Sequence, residues 1–301
     1  MTPFHRLLIP ALSCWAVGSA PVLLAAENDV KSASIWKVSD EDSSVYLAGS
    51  VHLLREKDMP IPPIFDEVYA VSDELIFEID MAAMTDPAIA VKMRALGSLP
   101  AGENLGDRFS EETMTKLESY LSERNFPRGL FDRFTPGMVF LTLSSIEATR
   151  NGARPDLGLE SQFYLKSEED GKPSRGLETP EYQMSRFDEI DPENLEALVN
   201  ESLDDIDQAE ESLDEIISAW KTGDGEKIAE LILEEMASGS PLREVLLTER
   251  NKNWIPIIEE SLAGSDTVLF IVGAAHLVGE DSVVELLQKK GHEVSQLEFE
   301  D

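Results

Sequence analysis

The stretch "SASIWKVSDEDSSVYLAGSVHLL" alternates apolar and polar positions on either side of an acidic turn, which predicts a hairpin with strands near Ile35–Val38 and Val45–Val51. "IPPIFDEVYAVSD" opens a helix after two prolines, with Ile64, Val68 and Val71 on one face. "ELIFEID", residues 74–80, is a short β-rich run and the next strand. In this strand–helix–strand unit His52 and Glu78 stand at or just beyond strand ends, which line the ligand crevice of open α/β sheets. Residues 84–150 read as mostly helical, and "LGLESQFYLKSEEDGKPSRGLE" as a helix, a turn and a short strand ending near Glu178. From Asp188 to Glu215 acidic residues abound and no basic one occurs, yet Leu195, Leu198, Ile206, Leu213, Ile216 and Trp220 keep helical spacing. This predicts one long amphipathic helix with a solvated face. "PLREVLLTERNKNWIPIIEESLAG" reads as a helix kinked at Pro256. "DTVLFIVGAAH" is apolar and β-branched enough for a central strand, and a helix, a Gly291 stop and a terminal strand follow it. The pattern is that of an α/β fold: a central mixed β-sheet built from two related strand–helix halves, with inserted helices over roughly residues 84–262.

Residues 1–26 break the pattern. Leu7–Ala26 carries no charge, follows a single arginine and ends on small residues, the layout of a signal peptide. The expected mature domain is 27–301, periplasmic or secreted, or membrane-anchored if the leader is uncleaved. After leader removal no stable membrane span is expected. Cys14, the chain's one cysteine, lies in this leader, so the mature chain has no disulfide, thiolate ligand or cysteine nucleophile. With 25 basic and 59 acidic residues the net charge is −34. A field of that sign repels nucleic acid and anionic membrane surfaces and favours cations.

Against this background the histidines stand out. There are four in the chain, and two of them, His52 and His276, end a β-like run and follow a glycine by three positions, in "VYLAGSVHLL" and "VLFIVGAAHLV". Glycine is 18 of 301 residues, so any one histidine meets that condition about 6% of the time. A glycine at a strand end permits a sharp exit or a close backbone approach and leaves room around an imidazole. Without cysteine, imidazoles brought together serve metal binding with carboxylates or acid–base work. Glu78, acidic inside an apolar strand and on one face with Asp80, is the leading carboxylate; Glu160, Glu178 and the Glu249–Arg250 pair come next. Two imidazoles and a carboxylate suit a divalent-metal hydrolase, and the same count serves an iron oxygenase. His292 follows Gly291 on a surface turn and reads as structural.

The two GxxH motifs, "FEID" after the first, the central "GKPSRGLETPEYQ" and "TERNKNW" before the second resemble the TraB/GumN family, which includes the Tiki metalloproteases, over about residues 33–299. The resemblance implies an α/β fold related to erythromycin esterase and ChaN-like proteins, and a divalent metal ion, Mn or Co favoured, with Zn or Fe as alternatives. It implies His52, Glu78 and His276 as metal ligands and Glu78, Glu160, Glu178 and Arg250 as catalytic groups. The expected function is a metal-dependent hydrolase, foremost a peptidase acting on a peptide or small-molecule substrate. The alternative is a non-catalytic extracytoplasmic protein that binds peptide or polysaccharide-related ligands. Oligomeric state is not legible.

Overall fold

A computed structural model describes residues 30–40, 43–233, 236 and 239–300. The leader and its cleavage point lie outside these residues. Six strands form one mixed sheet in the order β4-β3-β5-β2-β1-β6. They are β1 (Val30–Ser39), β2 (Ser44–Ser50), β3 (Glu74–Ile79), β4 (Ser174–Glu178), β5 (Val268–Gly273) and β6 (Glu293–Glu300). Strands β2, β5, β3 and β4 run parallel to one another, whereas β1 is antiparallel to both β2 and β6. β5 is buried at every residue, as its unbroken apolar run requires of a central parallel strand.

The helices among the described residues are α1 (Ile64–Val71), α2 (Pro87–Leu96), α3 (Glu111–Glu123), α4 (Pro136–Arg150), α5 (Leu159–Asp170), α6 (Pro180–Arg186), α7 (Pro192–Asp204), α8 (Ala209–Lys221), α9 (Gly225–Leu233), the single turn α10 (Pro241–Arg243), α11 (Glu249–Leu262) and α12 (Val283–Lys289). The main core joins the sheet to α1, α5, α8, α11 and α12 around Phe65, Phe270, Trp220 and Trp254. A second core, around Leu105, Leu117, Val139 and Val199, binds α3, α4 and α7 into a helical lobe. Trp220 ties α8 to the sheet, its indole N–H donating to the Gly49 carbonyl at 2.7 Å. No helix among the described residues is long and apolar enough to cross a membrane.

Three expectations are corrected. The acidic stretch 188–215 is not one helix. It breaks between α7 and α8 at a 3-10 turn, Ile206–Gln208, where the run of aspartates competes for backbone groups better satisfied in turns. The distortion in the next helix lies before Pro256: α10 passes through a π-helical turn, Glu244–Thr248, into α11, and Pro256 sits inside α11. Val71, expected on the buried face of α1, is 58% exposed while Ile64 and Val68 are buried. It occupies the last helical position, ahead of the Ser72 cap.

Candidate functional site

The two motif-bearing strands are immediate neighbours. β2 and β5 pair in parallel with Gly49 opposite Val272 and Ser50 opposite Gly273, so the two GxxH motifs are staggered by one residue. β3 flanks β5 and β4 flanks β3. The carboxyl ends of all four parallel strands therefore deliver His52, His276, Glu78 and Glu178 to one crevice, as sheet topology requires. The close packing is real at Gly49, where a Cβ would lie 3.2 Å from the Ala274 backbone.

Gly273 marks the centre. A Cβ there would lie 3.0 Å from Glu78 Oε1 and 3.7 Å from both His52 Nε2 and His276 Cδ2. The two imidazoles thus lie within twice that last distance of each other. Glu78 Oε1 accepts the Gly273 N–H at 2.5 Å and lies 3.8 Å from His276 Nε2.

Each histidine is oriented through its other nitrogen. His52 Nδ1 donates to Glu160 Oε1 at 2.6 Å, and the Ser50 hydroxyl donates to the same oxygen. Glu160 reaches them because α5 begins against the His52 backbone, where Gly158 leaves no room for a side chain: its Cβ would lie 2.1 Å from the His52 carbonyl oxygen. His276 Nδ1 donates to Asn251 Oδ1 at 2.6 Å, while the Asn251 amide donates to the Asp281 carbonyl at 2.9 Å. An amide oxygen only accepts, so the neutral His276 tautomer presents a bare Nε2 toward Glu78. The Trp254 ring packs 4.4 Å from the imidazole, centroid to centroid.

Arg250 knits the site together. Its Nη2 donates to Glu78 Oε2 at 2.7 Å, Nη1 to His276 Nε2 at 3.1 Å, and Nε to both oxygens of Glu178 at 3.0 Å. Glu178 also accepts the Trp254 indole N–H at 2.9 Å. Gln183 bridges the two glutamates, donating to Glu78 at 3.2 Å and to Glu178 at 3.1 Å. The π turn aims the arginine: its Nη1 is also held by the Leu246 carbonyl at 3.0 Å. Single-turn π distortions are a recurrent feature of functional helices.

The electrostatics differ for each group. Burial pushes His276 down to about 3, keeping it neutral. Burial also opposes ionisation of Glu78, but the facing imidazoles, the Arg250 guanidinium and the Gly273 N–H outweigh it and hold the carboxyl well below the usual carboxylate range. With His276 neutral, the guanidinium and the charged His52 imidazole supply that charge. The Glu160 carboxylate raises His52 to about 9. The two imidazoles are thus unequal: His276 is enclosed at 5% side-chain exposure, and His52 opens to the crevice at 66%.

All six candidates, His52, Glu78, Glu160, Glu178, Arg250 and His276, gather in this crevice. Sequence reading passed over Ser50, Gln183, Asn251 and Trp254. All four lie inside quoted stretches, Ser50 in "VYLAGSVHLL", Gln183 at the end of "GKPSRGLETPEYQ", and Asn251 and Trp254 in "TERNKNW", but none was given a role. His292 is half-buried beside the Gly291 turn and paired with Glu259 at 2.9 Å, away from this crevice.

Several known proteins are similar to the chain over most of its length. The uncharacterized protein YbaP of Escherichia coli (strain K12) is 26% identical over 243 residues, 81% of this chain and 87% of the relative. A metalloprotease TIKI homolog of Amphimedon queenslandica is 22% identical over 325 residues, and metalloprotease TIKI1 of Danio rerio 22% over 319. These two alignments take in 90% and 89% of this chain and 63% of each relative's length. No solved structure matches the chain. Residues 34–296 match the TraB/PrgY/gumN family across both GxxH strands and everything between them, and the chain belongs to that family.

Proposed function

We propose that the protein is a divalent-metal-dependent hydrolase that cleaves peptide bonds. The observation that carries this reading is the convergence of two imidazoles and the Glu78 carboxylate around Gly273, each held through its far side by another polar group. Carboxylate or amide partners of this kind orient metal-ligating histidines. The donor chemistry fits a divalent cation, with His52, Glu78 and His276 to hold it. It is not a closed ligand shell: among the described residues no three His, Cys, Asp or Glu side chains stand ready around one ion, and Arg250 engages both His276 and Glu78. When bound, the ion supplies Lewis acidity toward a carbonyl and acidifies water.

The protein's own groups do the rest. Glu160 fixes the His52 ring, and Asn251 fixes the His276 tautomer. Glu178 and Gln183 hold Arg250 and Glu78 in register. Arg250 keeps a guanidinium at the crevice floor, where oxygen charge develops during acyl transfer. The two distant relatives named as metalloproteases support the assignment of this chemistry to peptides.

A second reading, a non-catalytic binding protein, is favoured by one observation: Arg250 already occupies donor atoms that an ion would need. One experiment separates the two. Chelated protein is reloaded with Mn, Co, Zn or Fe, its metal content measured, and a peptide library tested for cleavage. Loss of metal and cleavage together in His276→Ala and His52→Ala is expected, since removing one of three protein ligands leaves a poor site. Metal-replete protein that cleaves nothing, beside an active Tiki protease control, overturns the peptidase reading.

A further inference from the structure

The crevice floor opens into a cavity of about 920 Å³ lined by α2, α4, α6, α7, α8, α9 and α10 as well as by the site itself. The walls are apolar to an extent that the acidic composition does not foreshadow. Four of the chain's nine methionines, Met84, Met93, Met184 and Met236, line it. Methionine is unbranched and polarizable, so walls made of it repack around differently shaped apolar groups. Met84, 47% exposed, and Leu141, 36% exposed, are among the few large apolar side chains left open to solvent, and both belong to this cavity. Exposed apolar surface gathered at one place marks a binding surface.

The charges along the lining are also informative. Glu147 is neutralised by Arg124 at 2.8 Å. Arg186 is neutralised by Glu189 and Glu249, and Arg250 by Glu78 and Glu178. Glu201 and Asp205, near the end of α7, line the cavity with no ion pair among the described residues. The uncompensated charge is therefore negative, within a molecule of net charge −34. That disfavours fatty acids and other anionic amphiphiles, the usual occupants of a chain-sized apolar cavity, and favours an apolar ligand bearing a cation.

Resting on the peptidase reading, we infer that the substrate is an extended peptide segment with bulky apolar side chains near the scissile bond and a basic group on one flank. The methionine-lined walls accept varied apolar residues, and Glu201 and Asp205 receive the cation.

The test measures binding to the chelated full-length protein, so that neither metal nor cleavage enters. Four decapeptides share one backbone and carry either Leu and Phe or Ser at three central positions, and either Lys or Glu on one flank. Titration calorimetry is expected to show the Leu/Phe peptide with Lys binding at least about tenfold more tightly than its Ser counterpart, because each large apolar side chain buried is worth roughly that factor or more. Glu201→Gln with Asp205→Asn, both exposed and safe for folding, removes the preference for Lys over Glu and leaves the apolar preference. Met184→Glu, checked for an unchanged thermal midpoint, lowers the apolar preference. Should that variant fail to fold, the exposed pair and the four wild-type titrations still decide. Equal affinity for Leu/Phe and Ser centres, indifference of the exposed pair to peptide charge, or laurate displacing the Leu/Phe peptide at lower concentration than the peptide binds, overturns the inference. Tight apolar binding without cleavage after metal loading defeats the peptidase reading alone. Efficient cleavage of Ser-centred peptides defeats this inference alone.

Discussion

His52 and Glu160 form a pair whose contribution to stability is read from pH. The carboxylate raises His52 from 6.5 to about 9 in the folded protein. A raised folded value means that the folded state holds its proton more tightly than the unfolded chain does. The stabilisation is therefore complete below the unfolded value of 6.5 and is lost as pH rises through about 9. In chelated protein the thermal midpoint is expected to fall between pH 6.5 and 9, and Glu160→Gln should lower the midpoint at pH 6.5 while flattening that decline. An identical decline in the variant would refute the pairing. At this scale the sequence was informative about chemistry and silent about partners. Histidine, glutamate and arginine announce themselves by type and setting. A partner such as Asn251 acts through one amide oxygen on His276, and nothing in its local pattern distinguishes it from a helix-surface asparagine.

Elements carry these side chains to within ångströms of one another, and small residues set how closely the elements approach. Gly158 is a sharp case. It caps α5 with φ −59 and ψ 148, values open to any residue, so its role is space. A Cβ would strike the His52 carbonyl oxygen at 2.1 Å, and backbone atoms cannot swing aside as a flexible side chain does. Gly158→Ala is expected to destabilise the fold by about 1–3 kcal/mol, the usual range for overpacking, and to separate Glu160 from His52. Denaturant unfolding measures the first effect, and the pH dependence above, now flattened without any change at Glu160, measures the second. Among elements, legibility followed periodicity. The strands, α1, α11 and the terminal helix–strand pair were readable because each has a regular apolar pattern. The breaks were not. The acidic stretch keeps its apolar spacing straight through the 3-10 turn at Ile206–Gln208. The π turn at Glu244–Thr248 inserts its extra residue without a sequence marker, while the visible breaker, Pro256, is absorbed by α11.

At the scale of the whole molecule, two features that no single segment displays determine what the site faces. The first is strand order. β3 packs beside β5, and β5 beside β2, so motifs from opposite ends of the chain become neighbours; the paired glycines hinted at this convergence, but the pattern of one strand contains no list of its neighbours. The second is the cavity, whose walls draw on α2, α4 and the helices from α6 to α11, and which therefore exists only once the helical lobe docks over the strand ends. Both assemble under a net charge of −34. Like charges crowded onto a folded surface repel one another more than on an expanded chain, which disfavours the compact state. Screening relieves that cost over a Debye length of about 10 Å at 0.1 M salt and about 3 Å at 1 M. The thermal midpoint of chelated protein should therefore rise as NaCl goes from 10 mM to 500 mM, even though the surface ion pairs lose strength over the same range. Exposed pairs such as Lys57–Asp214 and Lys92–Glu181 contribute little individually, whereas the repulsion sums over every acidic side chain without a partner. A midpoint that falls with salt would show that specific ion pairs, not net charge, dominate the electrostatics of this fold.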